Sequence, residues 1–307
     1  MAKKSIISIM ALAFAMLPCL AVEPQGEGWT KTEVEKGIVY YSFNGFDYLS
    51  GAQQIVNVVD IDLNCKKYKV EFCYHKPDII TSEVMKETGA IAIINAGYEP
   101  QSIVIEVDGQ MISNIPNNFI FDTTVPNWKN DGAVYTDGKC NVDVEFSAKG
   151  MKDLDEVRAF YASDKRRNTI SSAPMLIDNY ELVGTTFADT DVEITRLAYE
   201  DPKRHQGVRH PRTAVAKTAD NHFLMIVVDG RRKGISEGMS AKELTLFLAR
   251  NFAPKYALNL DGGGSTTMCV EGQGDPQTHV VNYPTDNGAF THDGERTITT
   301  HIYVRRK

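Results

Sequence analysis

What most limits the fold of this chain is a series of short runs in which apolar and polar residues alternate: "GIVYYSF", "QQIVNVVDIDL", "YKVEFCYH", "AIAIINAGY" and "SIVIEVDGQMI". A period of two residues turns one side of each run inward and the other outward, the pattern of half-buried β-strands. "VDGQ", "TDGK" and "TADNH" then read as hairpin turns, because Asp-Gly and Asp-Asn accept positive φ. Helical patterns are fewer. "TSEVMKETG" carries an N-cap and a terminal glycine, and "SAKELTLFLARNF" is amphipathic behind a capping box from Ser240 to Glu243. Strands and helices do not strictly alternate, so the pattern predicts an α+β fold with mixed, mainly antiparallel β-sheets and a few flanking helices.

The first residues read as an address. Lys3 and Lys4 precede an apolar run from Ile6 to Leu17, and "CLA" follows. That is the charged head, hydrophobic middle and small-residue cleavage site of a secretory signal, assigned to residues 1–21. The run is too short to span a bilayer as a mature helix, so no integral membrane segment is expected in the mature form. Lipid anchoring at Cys19 is the weaker alternative to a periplasmic or extracellular protein, because Pro18 spoils the lipobox. A net charge of −7 with no basic block argues against nucleic acid. Cys65, Cys73, Cys140 and Cys269 remain after the signal; an exported compartment permits disulfides, and their pairing stays open. No C-x-x-C and no Cys/His pair has zinc spacing, so no cofactor is required, although an acidic site is compatible with a divalent cation.

Several runs end in polar groups that a purely structural strand does not need. "AIAIINAGYEP" runs into Asn95 and Gly97, "HPRTAVAKT" passes His210 and opens with Arg212, and "FLMIVVDGRRKG" ends in Asp229 and Arg231. "GERTITTHIYV" enters the last strand through Glu295 and Arg296. In "ALNLDGGGSTTM" an apolar run ends in Asp261, followed by Gly262, Gly263 and Gly264 and then by Ser265 and Thr266. Three consecutive glycines are costly in conformational entropy, and amides freed of side chains can form an anion-binding nest. Neither a Gly-x-Gly-x-x-Gly nor a Gly-Lys-Ser/Thr accompanies them, so dinucleotide and P-loop chemistry are unsupported.

In this order, "AIINAGYEP", "SSAPMLIDNYELV", "HPRTAVAKTADNHFLMIVVDGRRKGISEGMSAKEL", "YALNLDGGGSTTMCV" and "VVNYPTDNGAFTHDGERTITTHIYV" resemble the phosphodiester glycosidase family. The resemblance assigns 91–307 to a catalytic domain and 22–90 to an N-terminal β-rich region that matches nothing known; Thr185 to Gln206 reads as a surface excursion. It departs from the family at "NAGYEP", with Ala96 and a single Tyr98, and at "SSAP", both expected near the pocket. The reaction it implies is hydrolysis of a sugar-1-phosphodiester, resembling a GlcNAc-1-phosphodiester, to free sugar and a phosphate monoester. The substrate partner is then a phosphorylated glycan or sugar phosphodiester.

Such chemistry has an oxocarbenium-like transition state and a phosphate leaving group. Arginines fork onto phosphate oxygens. Arg212 and Arg296, with the Gly262–Gly264 amides, are therefore expected to clamp the phosphate, with Arg231 and Gly97 also lining the site. Asp261 leads the carboxylates that could activate water or face the anomeric carbon, ahead of Asp229, Glu237 and Glu295. Asn95, Ser265 and Thr266 are expected to orient the substrate, and His210 to be a further acid. Cleavage on the P–O side, or binding of anionic glycans without catalysis, are the competing readings.

Overall fold

A computed structural model of the protein describes residues 23–119, 125, 127–151, 153–188 and 193–307. The signal segment and Cys19 lie outside the described residues. Sixteen strands and four α-helices build three sheets, and each strand pairing among the described residues is antiparallel. The largest sheet orders its strands as Trp29–Glu35, Ile38–Asp47, Ala52–Asp62, His222–Val228, Arg212–Lys217, Tyr256–Asn259 and Met175–Asp178. The N-terminal β-rich region is therefore continuous with the strands that carry the later motifs: Val56 to Asp62 pairs with Val228 to His222.

Alternation explains how this sheet is covered. Val215, Met225 and Val227 point into a central core with Ile94 and Ile302 of a four-stranded sheet and Val134 and Ile170 of a five-stranded one. Their neighbours Ala214, Leu224, Ile226 and Val228 point the other way, onto Leu244, Phe247 and Leu248 of helix Ala241–Asn251. With both faces covered, the central strands are continuously apolar. The capping box that starts the helix is present as expected, with Ser240 and Glu243 each satisfying the other's backbone N–H.

The turns also follow the sequence. Asp108 (φ 52°) and Gly109 (φ 80°) join Val104–Val107 to Gln110–Asn114, and Asn221 (φ 70°) turns Arg212–Lys217 into His222–Val228. Helix Thr81–Thr88 ends on Gly89 in the left-handed conformation, but its N-cap differs from expectation. Its N-cap residue Ile80 has no side-chain cap; the Glu295 carboxylate, from the far end of the chain, accepts from the Ser82 N–H at 2.9 Å and from its hydroxyl at 2.5 Å. An acid at a helix N-terminus is favoured by the orphan amides and the dipole. Glu295 is thus a structural cap, not a substrate contact. Among the described residues, no helix is long and apolar enough to cross a membrane, and all four cysteines are free.

Candidate active site

Strand Tyr256–Asn259 ends beneath the glycine triplet, and each glycine makes room for something different. A Cβ on Gly262 would stand 2.6 Å from the Pro211 carbonyl oxygen. One on Gly263, whose φ is +65°, would stand 3.0 Å from the Arg231 guanidinium. One on Gly264 would stand 2.5 Å from the Arg296 guanidinium and 2.8 Å from the Asp286 carboxylate. The triplet therefore lets two arginines press against bare backbone. The Gly263 N–H does not point into the site as a nest would require; it donates to the Pro211 carbonyl at 2.9 Å.

The glycines form one wall of a cavity of about 470 Å³. Asp261, Ser265, Arg231, Arg296, His210 and Gly97 line it with them, so these expected residues do come together. The opposite wall was not foreseen. Lys129, only 4% exposed, stands 3.1 Å from Glu99 and 2.7 Å from Glu200, and its ammonium lies 4.9 Å from the centre of the Tyr98 ring. His205 packs its ring 5.6 Å from Tyr98 and 5.2 Å from His210. Tyr199, Glu200, Arg204 and His205 all belong to the stretch expected to be a surface excursion, and they line the cavity instead. "SSAP" does not line it: the Ala173 carbonyl accepts from the Tyr98 hydroxyl at 3.0 Å and fixes that ring from below.

Burial pushes the Asp261 carboxyl up to about 7, against donation from the Ser265 hydroxyl and the Gly262 N–H that favours its ionised form. Glu99 moves the other way. Desolvation at the cavity wall would raise it, but the Lys129 ammonium outweighs that and holds it below the ordinary carboxylate range. Two acids in one cavity thus differ in proton affinity, which is how a site divides proton-transfer from charge-stabilising roles. Burial and the neighbouring Arg212 push His210 down to about 3, against the Pro211 and His205 carbonyls that face its two ring nitrogens at 2.8 and 3.1 Å and favour the protonated ring. The two arginines also differ. Arg296 is paired with Asp286, its Nε donating at 2.7 Å, whereas Arg231 donates to the neutral Thr285 hydroxyl at 3.2 Å.

Five further expected residues are structural. Arg212 is fully buried; its Nε and Nη2 donate to the carbonyls of Met239, His205, Gln206 and Val208 at 2.8–3.2 Å, and it does not line the cavity. It fixes the backbone that presents His205 and Val208 to the cavity. Asp229 is 1% exposed, and its Oδ1 accepts from Asn282 at 3.1 Å and from the Tyr283 N–H at 2.9 Å. Glu237 faces away and pairs with Arg209 at 3.1 Å. Asn95 is buried, donating to the Asp261 carbonyl at 2.7 Å and accepting from Thr213 and the Thr267 N–H. Thr266 is buried with its hydroxyl 3.5 Å from that of Thr213. In each case strand-end polarity marked the right loop while the side chain lies outside the cavity lining; Oδ2 of Asp229 and Nη1 of Arg212 are left without a protein partner.

The phosphodiester glycosidase family model matches residues 88–305, and the chain belongs to that family. Solved structures share the fold. The zebrafish N-acetylglucosamine-1-phosphodiester alpha-N-acetylglucosaminidase catalytic domain, auto-inhibited by its pro-peptide, matches at 17% identity over 94% of this chain and 87% of that one, with a TM-score of 0.55. A hypothetical protein from Synechocystis matches at 14% identity with a TM-score of 0.55; 91% of this chain spans 64% of that protein. A Burkholderia pseudomallei protein provisionally described as exported matches at 15% identity over 83% of this chain and 74% of that one, with a TM-score of 0.53. No curated protein matches the sequence.

Two outcomes follow from this geometry. Inorganic phosphate should bind the cavity, and Arg231→Gln should weaken it about tenfold, as loss of a charge-assisted hydrogen bond does; calorimetry showing equal affinity would remove Arg231 from the anion site. Burial raises Asp229 to about 7, above the value of about 4 that an exposed aspartate has in the unfolded chain. A raised carboxyl binds more protons when folded, so relative to Asp229→Asn the wild type should lose stability as pH climbs from about 4 to about 7. Denaturant titrations giving a pH-independent difference would contradict this.

Proposed function

We propose that the protein hydrolyses a sugar-1-phosphodiester, of the GlcNAc-1-phosphodiester type, to free sugar and a phosphate monoester. The observation that carries this reading is that the Asp261 carboxyl, raised by burial, shares one cavity with Arg231 and Arg296 across a backbone cleared of side chains. Arg231 and Arg296 hold the phosphate oxygens, on which negative charge grows as the bond to the anomeric carbon breaks. A phosphate monoester is a good leaving group, so the demand on a general acid is small. Asp261 in its ionised form takes a proton from the water that attacks the anomeric carbon; the new C–O bond forms and the electron pair of the old one leaves with the phosphate. Glu99, kept ionised by Lys129, stabilises positive charge at the ring. Tyr98 and Tyr199 offer apolar faces to the sugar, and neutral His205, whose Nδ1 has no protein partner, can hydrogen-bond a hydroxyl.

The N-terminal charge and hydropathy pattern supports an exported site of action, where phosphorylated glycans and exopolysaccharides are met. The proposed activation of water by Asp261 draws on no cofactor.

The bond that breaks is the decisive point. Hydrolysis of a GlcNAc-1-phosphodiester in oxygen-18 water should place the label in the sugar. Label in the phosphate would show cleavage on the P–O side and overturn the reading. Binding of the phosphodiester with no hydrolysis of any member of a sugar-1-phosphodiester panel would make the chain a glycan binder.

A further inference from the structure

Across the four-stranded sheet from the glycine loop, two adjacent strands bring three ligand-type side chains to one face. Cys73 and His75 lie two residues apart on strand Tyr68–Ile79 and so share a face; His301, on strand Ile298–Arg306, is the direct cross-strand partner of Cys73. One ligand atom from each lies within 4.8 Å of the others. None of the three lines the cavity described above. The next residue, Thr300, belongs to the opposite face, where its hydroxyl accepts from the Gly97 N–H at 2.9 Å.

Among the buried side-chain atoms without a hydrogen-bond partner, three cluster on two adjacent rings. His301 is 0% exposed, yet neither ring nitrogen has a hydrogen-bond partner, and Nδ1 of His75 is also buried without one. Buried polar atoms are almost always paired, so three orphans on two neighbouring rings call for a ligand that is not protein. The rings stand 6.1 Å apart at 79°, with the Cys73 thiol in the same group. A bridging water would need a hydrogen bond to each nitrogen and would leave the thiol unused. A metal ion uses all three. His75 also has a carboxylate behind it: its Nε2 stands 3.4 Å from the Glu87 carboxylate of helix Thr81–Thr88, and its Nδ1 has no protein partner. A carboxylate behind a ligating imidazole is the usual outer support of a metal site, fixing the tautomer and raising ligand basicity.

We propose that Cys73, His75 and His301 bind one borderline-soft transition-metal ion of the zinc class, as a CysHis₂ set with an outer carboxylate from Glu87. One thiolate and two imidazoles favour zinc over the oxygen-seeking magnesium and calcium. Ligand atoms around tetrahedral zinc lie roughly 3.3–3.8 Å apart, given bonds of about 2.0–2.3 Å, so closing the set from 4.8 Å takes small side-chain rotations. Cys73 and His75 are half-buried, which leaves an entry path and a fourth position for water. The Cys73 thiol gives its proton to solvent as the sulfur–metal bond forms; the imidazoles bind neutral, and no electron moves. The ion would staple two strands of the sheet to helix Thr81–Thr88, whose other end is capped by Glu295. Short-range spacing rules overlook the set because Cys-x-His on a strand awaits its third ligand from the last strand of the chain.

The untagged full-length mature chain, stripped with chelator and titrated with cobalt(II) chloride, should take up one ion and develop a thiolate-to-cobalt charge-transfer band. One equivalent of zinc should bleach it. Cys73→Ser should lose the band, and both it and His75→Gln should bind zinc at least tenfold more weakly while keeping the stripped wild type's thermal midpoint. His75→Gln alters a half-exposed ring, so it serves if Cys73→Ser does not fold. Absence of the band at stoichiometric cobalt would overturn the proposal. Zinc affinity undiminished in the variants would do the same, placing the ion on Cys65, Cys140 or elsewhere.

Discussion

One buried amide ties the sheets to the chemistry. Asn95 ends strand Ala92–Asn95 of the four-stranded sheet, and its side chain donates to the backbone carbonyl of Asp261 while accepting from Thr213 of the large sheet and from the Thr267 N–H. Both ends of the glycine loop and one strand of each flanking sheet are thereby fixed to the same side chain. Without it, the Thr267 N–H and the Asp261 carbonyl would be buried without these partners, at about 1–3 kcal/mol each. The glycine loop can be bare because it is held from below. Bare backbone, in turn, is what lets Arg231 and Arg296 approach the wall on which Asp261 sits.

The second wall depends on an interaction of the opposite kind. Arg212 carries a full charge into the interior with carbonyl oxygens as its bonding partners, and burial lowers it to about 10. Breaking such an arrangement by removing the cation would leave four carbonyls short of donors. The segment it gathers, from His205 to Val208, follows helix start Pro202 and brings His205 against Tyr98. Lys129 then closes the wall by pairing with Glu99 and Glu200 from two different loops. The cavity is thus a joint between a rigid glycine loop and a cation-organised strap, with a carboxylate of different proton affinity on each side.

Much of this was legible in the chain wherever the signal is local. Alternation gave the strands, Asp-Gly and Asp-Asn their turns, and Ser240 with Glu243 the start of a helix, because each depends on residues a few positions apart. Asp261, the glycines, Arg231 and Arg296 line one cavity for the same reason: a polar group at the end of an apolar strand lies on a loop that the sheet holds. Direction was not legible. An arginine opening a strand reads the same whether its guanidinium meets a phosphate, as expected of Arg212, or four carbonyls. Asp229 and Glu295 likewise sit in the right motifs, but Oδ1 of Asp229 accepts from the Tyr283 amide and Glu295 caps a distant helix N-terminus. Lys129, Glu99 and Glu200 were missed because a salt-bridged cluster drawn from separate segments leaves no spacing to read. Glu99 came closest, lying inside the quoted "NAGYEP".

The proposed hydrolysis requires Asp261 to be a proton-transfer group rather than a prop for the glycine loop. Its backbone carbonyl and N–H tie the loop to Asn95 and to Ala96 and survive a side-chain change, and an asparagine Oδ1 still accepts from the Ser265 hydroxyl or the Gly262 N–H. Asp261→Asn keeps the size of the side chain and removes its basicity. Turnover of a sugar-1-phosphodiester by this variant, measured beside its thermal unfolding midpoint, separates the two roles. The account predicts a loss of about 10²–10⁴-fold in kcat with the midpoint nearly unchanged. Retained turnover, or a collapse of the midpoint that accounts for the loss, would contradict it.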